Sequence, residues 1–518
     1  MTELYVIGIG GTGMRCLESL VHFCGAGCFS DKIIHVLALD TDKTNGNFKR
    51  AVDAINKYKA LQGGKNPLSG AICGAQIIPY VFSPDYSQVG KNTKLQEMIG
   101  RSGTDENDRK LAQLFFTENV QKFVLTEGYR AQTHLGSMLM YSSIVDAAKN
   151  PKKEEHRQLC DFVKKIGETS GDTKKCFVMG SVFGGTGASS IPVVPQAFNA
   201  AYKAMTDETK SLDHVQWGES LLTAYFTFNV PSNEEMSKES VIAKAEHFKL
   251  NSQVALSYYS KDESIRKDYK SFYVLGNAEA PANFQSGTNK TVVGGAEQTN
   301  PAHYLETLAI TAAEHFFKTK FESADIQYFY RRLSSLTEAD GYVSPKDLVS
   351  SENINNFALN LLTLKALAAD TSDDTSFSDT FMKKEKVELP SGALWLNQSK
   401  ELQEYLIMFD EWIKQIWKSA NGQQHFIFKQ EVFEKSGPDF FKNILNDMFL
   451  DKLKSESGFA GRQYDKTGVF GKTALDPFVK ALRGWQPEQA DSNTLNNVTA
   501  PLKFVYVVRD VLKGLYQF

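Results

Sequence analysis

FVMGSVFGGTGASS, residues 177–190, is the stretch on which the reading of this chain turns. The short apolar run at 176–181 stops at Phe183-Gly184-Gly185-Thr186-Gly187, and Ala188-Ser189-Ser190 then leads into an apolar stretch with helical spacing. A brief apolar run bounded by glycines predicts a buried strand, then a tight turn, then a helix. The turn has few Cβ atoms, so its backbone N–H groups can approach an anion at the helix N-terminus. Thr186 and Ser189 or Ser190 add hydroxyl donors.

The same grammar opens the chain. Residues 4–9 (LYVIGI) predict a strand, Gly8-Ile9-Gly10-Gly11-Thr12-Gly13 a turn of the G-x-G-x-x-G kind, and MRCLESLVHFC a helix. A second strand at 33–39 ends in Asp40-Thr41-Asp42, where a dinucleotide-binding protein would hold a ribose hydroxyl. An NAD-binding domain needs only one glycine turn. Two on one sheet edge surround a di- or triphosphate from both sides. The lysine-bearing pattern G-x-x-x-x-G-K-[ST] occurs at neither turn, which speaks against an ordinary P-loop protein.

Further strands are expected at 221–229 and 271–275. Helices are expected at 108–125, 137–149 and 235–253, with 128–136 as a loop, and from Asn300-Pro301 to about Lys320, with Asn300 as the cap. Strands alternating with helices predict an α/β, Rossmann-like, mostly parallel sheet with helices on both faces. Its ligands bind at the C-terminal strand ends. Residues 278–299 are polar and glycine-rich and read as an exposed insertion. From about residue 345 the pattern becomes helical (351–369, 399–420, 438–456, 501–516), with a polar loop at 370–379 and a short strand near 425–429. The expected domains are 1–299 for nucleotide binding, 300–325 for a central helix and acidic loop, and a helix-rich C-terminal domain over 326–518.

Composition limits the alternatives. With 42% hydrophobic and 23% charged residues the chain is an ordinary globular one, long enough for more than one domain. A formal net charge of −3 offers no global field for nucleic acid, so no direct nucleic-acid partner is expected. No apolar run approaches the roughly 18–20 residues of a membrane span, and the N-terminus enters a strand without a signal-peptide pattern. Cys16, Cys24, Cys28, Cys73, Cys160 and Cys176 form no dense framework, which fits a reducing cytoplasm. Cys24, Cys28 and His22 lack a second ligand pair at zinc spacing, so no metal centre is expected there.

The ordered loops resemble those of the tubulin/FtsZ superfamily, and look most like its divergent bacterial tubulin-like members. VIGIGGTGMR resembles the first phosphate loop. VLALDTD resembles the second strand and its turn, with Asp40 where FtsZ usually has Asn. GYRAQTHLGSMLM (128–140) resembles the γ-phosphate loop, and FVMGSVFGGTGASS the GGGTGTG signature with Phe183 in place of the first glycine. TFNVPSNEE (227–235), YVLGN (273–277) and NPAHYLETLAITAAEHFF (300–317) resemble the ribose loop, a strand-end nucleotide contact and the central helix. The resemblance covers roughly residues 1–330.

It implies GTP or GDP, with Mg²⁺, held by Gly10, Gly11, Thr12, Asp40, Gly136, Gly184, Gly185, Thr186, Gly187, Glu234, Asn277 and Asn300. At the ribose position either Glu234 or the adjacent Glu235 aligns, and Asn300 reads equally as a helix cap. In the superfamily an acidic loop after the central helix completes the site of the next subunit. Glu322 and Asp325 have the spacing of its two acids, although a solvated face gives the same pattern and the preceding Asn is missing.

The implied function is a self-assembling GTPase that stacks head to tail into filaments. The mostly helical region after 345 departs from the family plan. It leaves a second reading, a nucleotide-dependent switch or scaffold that recruits a protein partner through that region. An NAD-dependent enzyme using only Gly8–Gly13 is a third. It leaves GGTGASS unexplained, and the nine histidines supply no convincing catalytic constellation.

Overall fold

A computed structural model describes residues 2–63, 72–84, 86, 106–122, 125, 129, 133–168, 173–223, 226–228, 247–277, 282–284, 298–323, 325–333, 354–371, 392–419, 428–434, 461–462, 481–482, 484–485 and 495–517. Its centre is a seven-stranded sheet, parallel throughout. The strands are β1 (Thr2–Ile9), β2 (Lys32–Leu39), β3 (Gln76–Phe82), β4 (Lys175–Ser181), β5 (Gln216–Leu222), β6 (Tyr269–Asn277) and β7 (Gln327–Leu333). Their order across the sheet is β3-β2-β1-β4-β5-β6-β7. The protein is therefore an α/β protein with a Rossmann-like parallel sheet, as the alternating pattern predicts.

Helices cover both faces. One face carries α1 (Gly10–Gly25) and α2 (Gly46–Gln62), and also α7 (Tyr304–Lys318). The other carries α3 (Thr133–Lys149), α4 (Glu154–Gly167), α5 (Val194–Met205) and α6 (Phe248–Lys261). Helices α8 (Ile354–Thr371), α9 (Lys400–Ser419) and α10 (Ala500–Leu515) belong to the same hydrophobic core as α1, α2 and α7. The helical C-terminal region thus packs over one face, with Trp412 buried against Phe23 and His22 of α1.

Several elements differ from the pattern reading. β3 contains Pro79, which weakens a strand signal, and the proline is tolerated because β3 is an edge strand. β5 begins at Gln216, well before the expected 221. Glu219 and Ser220 interrupt its apolar run yet are fully buried. The rest of the 221–229 run separates: Phe226–Phe228 pairs with Ala282–Phe284 in a ribbon of its own. The sheet also continues past residue 326, because β7 pairs with β6. The stretch expected as a helix at 108–125 divides into Glu106–Phe115 and Glu118–Gln121. Most of the 235–253 helix, the 438–456 helix, nearly all of the 370–379 loop, and residues 425–427 of the expected short strand lie outside the described residues.

The start of α7 is a correction with a clear cause. His303, not Asn300, is its N-cap. The His303 Nδ1 accepts from Leu305 N at 3.2 Å, and Glu306 accepts from His303 N at 3.0 Å, closing a capping box. Burial and the nearby Arg15 push the His303 pKa down to about 3, so the ring stays neutral and keeps an acceptor nitrogen. Among the described residues no helix is long and apolar enough to cross a membrane.

Candidate functional site at the switch point of the sheet

The strand order reverses between β1 and β4. From β1 the chain steps outward to β2 and β3, and from β4 it steps the other way to β5, β6 and β7. In doubly wound sheets the crevice outside the C-terminal strand ends at such a point is where ligands bind. Both glycine turns stand at this point, one after β1 and one after β4.

The two turns touch. Gly10 has φ +68°, a conformation that L-residues with side chains avoid, and a Cβ placed on it would lie 3.2 Å from the backbone N of Gly187 and from Thr186 Cβ. On the opposite side, a Cβ on Gly187 would meet Ser181 O at 2.6 Å. Gly187 is closed to larger residues by backbone, Gly10 disfavours them through its φ, and the two turns form one continuous cradle. Gly184 and Gly185 complete the β4 turn, and Thr186 begins the short helix Thr186–Ser190.

The β2 turn joins them. Thr41 Oγ1 lies 3.2 Å from Thr186 Oγ1. Beside it Asp40 is buried. Its Oδ1 accepts from Asp42 N at 3.3 Å, and its Oδ2 has no hydrogen-bond partner among the described residues. Burial, reinforced by neighbouring Asp42, pushes the Asp40 pKa up to about 7. An orphaned carboxyl oxygen at the mouth of a glycine cradle suits a hydrated cation or a ligand hydroxyl.

Gly11 faces the side-chain amides of Asn47 and Asn45. Asn47 accepts from Asn300 N at 2.9 Å and donates to Asn300 Oδ1 at 3.0 Å, while Asn45 donates to Gln298 Oε1 at 2.6 Å. Asn300 is therefore at the glycine edge, tied sideways to the start of α2. Gln298 is half-buried there, so the end of the 278–299 stretch packs into the protein instead of standing clear of it. The sequence reading passed over Asn45 and Asn47, because Thr44-Asn45-Gly46-Asn47 reads only as a turn.

Charged residues buttress this edge from behind. Arg15 bonds Glu306 at 2.5 Å and lies 3.4 Å from Thr12 Oγ1, and both members of the pair are buried. Arg50 pairs with Glu18, donates to Asn300 O at 3.0 Å and reaches Gln415 of α9 at 3.4 Å. Gln415 also accepts from Ala302 N at 2.7 Å. The C-terminal region is thus hydrogen-bonded to the segment that leads into α7.

Gly136 lies in the first turn of α3, not in a loop, packed against Tyr129 and Ser189 behind the β4 turn. Asn277 ends β6 at the same sheet edge. Glu234, with Glu235, lies outside the described residues. Glu322 and Asp325 are exposed and stand apart from all of these. Helix α7 starts beside Asn300 and runs down to the opposite, N-terminal edge, and its 15 residues span about 22 Å. The acids follow its far end. Within one chain they are out of reach of the glycine cradle.

Fold and site together define a doubly wound α/β protein with a two-turn glycine cradle at its switch point. No protein-family model and no curated protein matches the chain. Among solved structures, CetZ from Methanosaeta thermophila strain DSM 6194 is 14% identical over 53% of this chain, with a TM-score of 0.23. The match spans 46% of that protein's own chain.

Proposed function

We propose that the protein is a tubulin/FtsZ-like guanine-nucleotide-binding protein that stacks head to tail, with GTP hydrolysis completed by the acidic loop of the neighbouring copy. The observation that carries this reading is the contact between Gly10 and Thr186-Gly187 at the switch point. One glycine turn serves a dinucleotide; two fused turns supply N–H groups to both sides of a β/γ-phosphate. The guanine preference comes from the sequence resemblance. Mg²⁺ at the phosphates would find the free oxygen of Asp40.

The placement of the acids supports stacking. A hydrolytic pair that follows the far end of a helix about 22 Å long, whose start lies at the glycine edge, is useless in one chain. It becomes useful when the lower edge of one copy meets the upper edge of the next, a heterologous contact that does not close and so builds filaments. There Glu322 or Asp325 would orient a water for in-line attack on the γ-phosphorus. The bond to the bridging oxygen breaks, GDP leaves, and the water proton passes to the carboxylate or to phosphate.

Purified protein mixed separately with GTP, a non-hydrolysable GTP analogue and NAD, then followed by pelleting, electron microscopy and phosphate release, tests this. Assembly and turnover with GTP alone support it. NAD binding without GTP binding overturns it. Tight GTP binding with no assembly favours the switch or scaffold reading, for which the Arg50–Gln415 link between the glycine edge and α9 is the specific support.

A further inference from the structure

Lys175 is the first residue of β4, the strand whose other end carries the glycine turn. Its ammonium donates to three carbonyls at the end of α7: Phe316 O at 3.2 Å, Phe317 O at 3.1 Å and Thr319 O at 2.5 Å. Carbonyls in the last turn of a helix have no intrahelical partner, and they carry the negative end of the helix dipole. The same ammonium sits 5.6 Å from the ring centres of Phe316 and Phe321. Those two rings pack together at 5.3 Å, and Phe321 is buried. Among the described residues no carboxylate pairs with Lys175. Burial lowers its pKa, a cost that the carbonyls and rings offset.

The consequence falls on the next residues. The chain leaving α7 is held at Thr319 by its carbonyl and at Phe321 by its ring. Glu322 and Asp325 follow at once and are exposed, with Asp325 N bonded to Ser323 Oγ at 3.0 Å. β4 is a rod of about 23 Å whose upper end shapes the phosphate cradle and whose lower end fixes the exit of α7. We propose that Lys175 is a positioning residue for the acidic loop: it fixes the register in which that loop is presented to the nucleotide of the adjoining copy. This rests on the stacking reading above and names the residue that sets its geometry.

The test compares Lys175→Met, Lys175→Arg and Phe321→Leu in the full chain. The readouts are the Kd for a fluorescent GTP analogue, turnover per assembled subunit at saturating GTP, and thermal melting. Lys175→Met should lower turnover by about tenfold or more and leave Kd within about twofold, because a misplaced group loses rate, not binding. Lys175→Arg keeps the cation and should recover most of the loss, and Phe321→Leu should fall between. A merely structural role would not separate turnover from Kd in this way. Wild-type turnover by Lys175→Met overturns the proposal, as does an equal loss of Kd and turnover in all three variants. If Lys175→Met does not fold, Phe321→Leu decides alone, and unchanged turnover there overturns it. A wild-type protein that binds GTP but neither assembles nor hydrolyses it overturns the stacking reading itself, and this proposal with it.

Discussion

The two edges of the sheet are built by opposite rules. At the C-terminal edge polar groups are buried and interlocked: Thr12, Asp40, Asn45, Asn47, Asn300 and Glu306 are nearly inaccessible, and backbone approaches backbone without side chains between. At the N-terminal edge the candidate acids are exposed, while their anchor, Lys175 with Phe321, is packed. Substitutions of these polar groups should therefore cost stability, and substitutions of the acids almost none. Under the proposed function the lower edge acquires its chemistry only in an assembly.

The sharpest way to break this contrast is Glu306→Leu. It leaves Arg15 buried without its carboxylate and removes half of the capping box of α7. Losing one partner of a buried pair costs about 3–5 kcal/mol, measurable by urea denaturation. A loss under about 1 kcal/mol would mean that the upper edge is softer than its burial implies.

Asp40 gives a pH signature of similar size. Its folded-state pKa of about 7 stands above the ordinary aspartate value of 3.8, so the folded chain keeps a proton that the unfolded chain has already lost. Stability should fall as pH rises from about 4 to about 7 and level off above that. Asp40→Asn should remove that slope and stabilise the nucleotide-free protein at pH 8 by on the order of 4 kcal/mol, with little change at pH 4. Parallel denaturation curves for the two proteins at both pH values would refute the assignment.

Gly10→Ala comes next. Forcing a Cβ into the left-handed region costs about 1–2 kcal/mol, and the new methyl presses on Thr186 and Gly187. Under the proposed function GTP affinity should drop more steeply than stability, by about tenfold or more in Kd. Retained affinity would detach the cradle from the ligand.

The smallest stability effect belongs to the double variant Glu322→Ala/Asp325→Ala. Exposed side chains outside any packed network change stability by less than about 0.5 kcal/mol. GTP turnover per assembled subunit should nonetheless collapse. Unchanged turnover would reduce both acids to a solvated surface.

The legibility of these features follows from their range. Gly8–Gly13 and Gly184–Gly187 are each visible because strand, turn and helix lie within one stretch of chain. Helix α1 and strands β1, β2 and β4 follow for the same reason. Asn300 is readable as lying near the start of the central helix, but the cap itself falls on His303, which the local pattern does not single out. The choice between Asn300 and His303 depends on Glu306 and on Arg15, which is distant in sequence and helps keep the His303 ring neutral. The early start of β5 escapes the sequence pattern because a central strand can bury Glu219 and Ser220, which a hydrophobic pattern marks as breaks.

By itself, the sequence determined the α/β class, the two glycine turns and the spacing of the acids, all of them properties of neighbours along the chain. Only the tertiary structure decided that the turns meet at the one point where strand order reverses and that Asn45 and Asn47 line Gly11. The tertiary structure also put the acids beyond the far end of α7, whose last carbonyls accept from Lys175. Those facts depend on which strand pairs with which. Strand order comes from burying both faces of a parallel sheet at once, a global packing problem that no local stretch encodes.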